Sequence, residues 1–171
     1  MQNTSIAIGT DRRSIYLPIA ALILTAAVAV LAAAQQQVPF KGTFQGNDTD
    51  SPGPTPNTVV VTTTGTGNGT HLGQFSFTEV NTVNHLNGTG TGFARLIAAN
   101  GDSVDVTTAG RGEPTGAPGV ISITEIWTVT GGTGRFAGAQ GSAKVERLAS
   151  RVTFTTSGSF GGTITSPGAA H

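Results

Sequence analysis

Val129-Thr-Gly-Gly-Thr-Gly-Arg-Phe-Ala-Gly-Ala-Gln-Gly-Ser-Ala143 carries glycines at a spacing too regular for filler, and strand-like runs surround it. Its first ten residues, taken alone, match a glycine-rich turn that cradles a phosphate at a helix start. Such a turn needs a helix after it and further strand-helix units. The chain beyond Gly134 is short, strand-like and rich in glycine and threonine, so the phosphate-loop reading is set aside. The glycines then belong to β structure, where they let a wall bend sharply or a neighbouring backbone come close.

Immediately before it, Val120–Thr130 places Ile121, Ile123, Glu125, Trp127 and Val129 on one face, with Ser122, Thr124, Thr128 and Thr130 opposite. An acid thus shares the apolar face. The same pattern recurs upstream. Thr70–Val80 puts Phe75, Phe77 and Glu79 together, and Gly88–Ala99 puts Phe93, Arg95 and Ile97 together. Asn100-Gly101 predicts a two-residue type I′ hairpin that folds Ser103–Thr108 back on the preceding strand. Val38–Gly46 is expected as a first strand with a bulge at Gly42. Thr58–Thr64 reads as a strand and Gly65–Gly69 as a turn. Asn47–Asn57, Asn81–Asn87 and Gly110–Gly119 read as loops. Downstream, Lys144–Leu148 and one or two strands within Ser150–Thr165 complete the set. Short strands with turn signals between them, and no helical period after Ala34, point to an antiparallel sandwich or a closed barrel.

The 171 residues carry no formal net charge and only 11% charged side chains, so electrostatics selects neither nucleic acid nor an anionic membrane surface. Residues 1–34 are expected to lie outside the fold as a signal helix. Arg12-Arg13 precede an apolar run, Ile15–Ala34, that ends in an Ala-x-Ala pattern. Cleavage there leaves 35–171 as an exported β domain, periplasmic or extracellular, with no membrane segment in the mature form. An uncleaved anchor is the alternative, because the run approaches the ~20 residues that span a bilayer. The paired arginines also fit a twin-arginine signal, with Asp11 where Ser or Thr is usual. No cysteine is present, which excludes disulfides, thiolate metal sites and cysteine nucleophiles. His71 and His85 stand apart from any other ligand set, so no metal is expected.

Gly131-Gly132-Thr133-Gly134-Arg135-Phe136, with Ala139 and Gly141, resembles the Gly-Gly-Thr-Gly-basic-aromatic segment of plant dirigent proteins. Phe136-x-Gly138-x-x-Gly141-x-x-Lys144 is similar to allene oxide cyclases. The resemblance spans Ile126–Leu148. It implies an eight-stranded antiparallel closed barrel with an apolar cavity, a domain that bacterial exported proteins of unassigned role also carry. The resemblance implies a few polar groups including a cysteine for allene oxide cyclases, and acids, an arginine and tyrosines for dirigent proteins; this chain has no cysteine, and its one tyrosine, Tyr16, lies in the signal segment. Neither catalytic set maps onto it residue by residue.

If the apolar faces line a cavity, Glu79, Arg95 and Glu125 are its polar groups, set among Phe75, Phe77, Phe93 and Trp127. Three roles stand open. The first is an exported barrel that binds a small apolar ligand, without cofactor and with homo-oligomer formation as an option. The second is a cofactor-free isomerase or cyclase with Glu79 or Glu125 as acid or base. The third is a structural or surface module.

Overall fold

The computed structural model describes residues 36–165 and 167–168. The expected signal segment, 1–34, lies outside the described residues. Eight antiparallel strands follow in order: β1 Gln37–Pro52, β2 Thr58–Gly69, β3 Gly73–Asn84, β4 Thr89–Ala98, β5 Ser103–Pro114, β6 Val120–Gly132, β7 Gly141–Ser150 and β8 Thr155–Thr165. Each pairs with its neighbour in sequence, and β8 pairs back onto β1 from Gln37↔Thr165 to Asn47↔Thr155. The sheet is therefore a closed barrel, the architecture the resemblance implies, with no unpaired edge along most of its length.

The strands are longer than their local sequence suggests, because closure supplies partners on both sides. Asn47–Pro52 was expected in a loop, yet it continues β1 opposite Val59–Thr64. Its Pro52 sits beyond the last β8 pair, where a missing N–H costs little. Gly65–Gly69 is likewise strand and not turn. A Cβ at Gly65 would stand 2.7 Å from the Phe77 ring, and one at Gly67 would run into the Phe75 ring, so both glycines make room for aromatics of β3. Asn81–Asn84 extends β3, and Gly110–Pro114 extends β5, again against the loop expectation. The register runs unbroken through Gly42; the one bulge falls at Asp105/Val106, opposite Gly131–Val129.

The Asn100-Gly101 hairpin forms, with a different turn. The Gly101 N–H donates to the Ala98 carbonyl at 2.9 Å, only Gly101 of the two has positive φ (+88°), and Ala98 N–H donates to Asp102 O at 2.8 Å. That is a type I turn followed by a left-handed glycine, the next most favoured way to close a hairpin.

Loops β2–β3, β4–β5 and β6–β7 gather at one end of the barrel, and that end is filled. Phe40, Phe44, Phe75, Phe77, Trp127 and Phe160 pack together there, with ring centroids 5.8 Å apart for Phe44–Trp127, 5.4 Å for Trp127–Phe160 and 4.8 Å for Phe40–Phe160. The glycine stretch seals it. Gly134–Phe136 makes one 3₁₀ turn, not a helix, and drives Phe136 to zero exposure beneath the core. Gly134 has φ +58°, and a Cβ there would run into the Asp102 carboxylate, which instead takes the Arg135 Nε–H at 2.7 Å.

Candidate functional site

The opposite end, bounded by the loops β1–β2, β3–β4, β5–β6 and β7–β8, is built differently. The inward positions of the strands change there from aromatic to polar: Phe44 gives way to Asp48 on β1, Phe77 to Glu79 and Asn81 on β3, and Trp127 to Glu125 on β6. Thr63, Thr108 and Arg147 complete the layer from β2, β5 and β7. Above this layer a cavity of about 600 Å³ opens to solvent, walled by Val61, Val83, Ile121, Ile123 and Phe154 and floored by Asn81, Glu125 and Arg147. A larger groove of about 890 Å³ runs over the outer face past Thr43, Thr66, Gln74 and Ile97 and presents no charged side chain.

Arg147 is the hub of the floor. Its side chain is 5% exposed; Nη2 donates to Glu79 Oε1 at 3.0 Å and Nε lies 3.3 Å from Glu125 Oε1. The Asn81 amide also donates to Glu79 Oε1, and the Thr108 hydroxyl donates to Asn81 Oδ1. The Thr63 hydroxyl donates to Asp48 Oδ1 at 2.6 Å. Four polar atoms stay without a hydrogen-bond partner among the described residues: Glu79 Oε2, Glu125 Oε1, Arg147 Nε and Trp127 Nε1.

Two buried carboxylates confront one guanidinium, and this sets their protonation. Burial pushes the Glu79 carboxyl up from its ordinary 4.5 to about 7, against the opposing pull of Arg147 and with a further push from Glu125. Burial also raises Glu125, again opposed by Arg147. The folded protein therefore holds a proton on Glu79 that the unfolded chain has released between pH 4.5 and about 7. The contribution to stability is greatest below that window and is lost as pH rises through it. Urea unfolding at pH 5 and pH 8 is expected to show a loss on the order of 2 kcal/mol from this group. Glu79→Gln is expected to flatten the slope, and an unchanged slope would show that Glu79 titrates normally.

The sequence-derived candidates separate into three groups. Glu79 and Glu125 are inside, 0% and 3% exposed, and Arg147 brings them together. Phe75, Phe77 and Trp127 are also inside, but they pack on one another in the filled end and do not line the open cavity. Phe93 and Arg95 are corrected: they face outward, with Phe93 60% exposed. The inward residues of β4 are Ala94, Leu96 and Ala98. Small residues fit there because the rings of β3 and β6 already occupy the barrel interior. Arg95 instead forks onto Asp105, its cross-strand neighbour, with Nε–Oδ1 at 2.6 Å and Nη2–Oδ2 at 3.0 Å.

Among solved structures, the barrel is similar to a dirigent protein. The match is to a pterocarpan synthase dirigent protein, at 13% sequence identity and a TM-score of 0.49, covering 78% of this chain and 88% of that one. No family model matches the sequence, and no curated protein does.

Three polar residues at this open end of the barrel, Asp48, Asn81 and Arg147, escaped the sequence reading. Asp48 and Asn81 lie in stretches rich in Pro, Asp or Asn that read as loops. Arg147 follows Ala143 and Val145 at strand period and precedes Ala149, a parity visible in β7 once its bounds are known.

Proposed function

We propose that this chain binds a small organic molecule in the open end of its barrel. The ligand lays an apolar body along Val83, Ile121, Ile123 and Phe154 and directs a polar group onto Asn81, Glu125 and Arg147. The observation that carries this reading is the cavity of about 600 Å³ with apolar walls and a floor of buried charge. Its size falls within the range of small-molecule sites, and convergent polar groups in an apolar cleft are their usual makeup. The filled end supports the reading by contrast, since the same barrel packs its other half solid with aromatic rings.

A neutral naphthylamine dye whose emission rises in apolar surroundings tests it. Binding is expected in the unaltered chain and is expected to weaken at least about ten-fold in Ile123→Trp, which fills the cavity from its wall. Equal dye affinity in both proteins would sink the reading.

A second reading, cofactor-free acid-base chemistry on the bound molecule, is supported by the Glu79 carboxyl held at about 7. A group poised near neutrality can both give and take a proton. Glu125 meets the cavity directly, and Arg147 links it to Glu79. Export of the barrel is supported by the apolar run 15–34 and the Ala-x-Ala pattern that ends it. N-terminal sequencing of the mature protein from its native host tests that part.

A further inference from the structure

The charges around the cavity do not balance. At its rim they pair off: Arg151 Nη1 lies 3.0 Å from Asp50 Oδ2, and Arg111 Nε lies 3.4 Å from Glu113 Oε1. Deeper in, Arg147 is shared between Glu79 and Glu125, while Asp48 is held by the neutral hydroxyl of Thr63. The interior therefore has three carboxyl groups and one guanidinium; with the proton that Glu79 holds below about pH 7, the carboxylates of Glu125 and Asp48 face the single cation of Arg147. Glu125 adds a second, independent sign. Its side chain is 3% exposed and lines the cavity, yet Arg147 holds it only loosely: Nη2 donates to Oε2 at a long 3.5 Å, and Nε lies 3.3 Å from Oε1, which accepts no hydrogen bond. A buried carboxylate held this loosely is costly, and a donor arriving through the cavity beside Glu125 would strengthen its hold.

From this we infer that the ligand is a cation: an ammonium group on an apolar body, donating to Glu125 and drawn by Asp48. An ammonium has three donors and no acceptor, which suits a site whose carboxyl groups outnumber its cations. It also supplies the missing positive charge. A carboxylate ligand would meet like charge, and an alcohol offers a single donor. This inference rests on the cavity being a binding site, so its test separates the two.

The probes are 1-naphthylmethylamine, 1-naphthylmethanol and 1-naphthoate, which share an apolar body and differ in charge, titrated calorimetrically into the full chain. The amine is expected to bind at least about ten-fold more tightly than the alcohol, with the carboxylate weakest. Glu125→Gln is expected to remove the preference, and Asp48→Asn, at a half-buried position, to reduce it. If Glu125→Gln does not fold by circular dichroism, Asp48→Asn and the charge series decide. Similar affinities for all three probes, each lost in Ile123→Trp, would overturn the cationic ligand and leave the binding site standing. No binding by any probe, or binding indifferent to Ile123→Trp, would overturn both.

Discussion

Arg147→Ala is expected to lower the unfolding free energy by roughly 3–5 kcal/mol at pH 8, the usual effect of deleting one member of a buried ionic network. The guanidinium is the counter-ion of both Glu79 and Glu125, and each carboxylate is almost fully buried. Its removal strands two like charges in a low-dielectric interior. The deficit has a pH signature that simple loss of packing would lack. As pH falls toward 5, Glu79 and Glu125 take up protons, the stranded charge disappears and the deficit shrinks. A small deficit that stays constant between pH 5 and pH 8 would mean that Arg147 acts only as a spacer. Replacing all three together by Leu, Leu and Met should recover much of the lost stability, since apolar side chains of similar volume often substitute for a buried ionic cluster.

Trp127→Ala is expected to cost about 3–5 kcal/mol for a different reason, the cavity left by a large side chain in a packed core. Trp127 has zero exposure, and its ring lies 5.8 Å from Phe44 and 5.4 Å from Phe160. The barrel wall is closed by hydrogen bonds all round and cannot collapse inward to refill the space. Phe93→Ala on the outer face provides the contrast and should change stability by no more than about 0.5 kcal/mol. Chemical denaturation of the two variants side by side checks the assignment of inside and outside. Comparable losses in both would contradict this strand parity.

Alternation along β3 and β6 was legible without tertiary structure, because rings and aliphatic side chains there alternate with Ser and Thr. It placed Glu79 and Glu125 on the inner face correctly. The same rule failed on β4, where Phe93 and Ile97 point to solvent and Leu96 points inward between the small side chains Ala94 and Ala98. Volume explains the failure: the barrel interior beside β3 and β6 is already filled by their aromatics. Strand ends failed for a related reason. The polar and Pro-bearing segments around Asp48 and Asn81 have weak β preference alone, and they become strand because β2, and β4 with β2, stand ready to pair with them.

Composition, period and the glycine spacing of Val129–Ala143 by themselves determined an antiparallel all-β domain with inward acids on two strands, because side-chain alternation and glycine sterics are local properties of the chain. Only the tertiary structure decided that the glycine stretch caps the filled end, that the opposite end stays open, and that Arg147 from β7 joins Glu79 and Glu125 in one buried floor. That meeting depends on the register in which three separated strands are held around a closed barrel, and register is a property of the closed sheet as a whole.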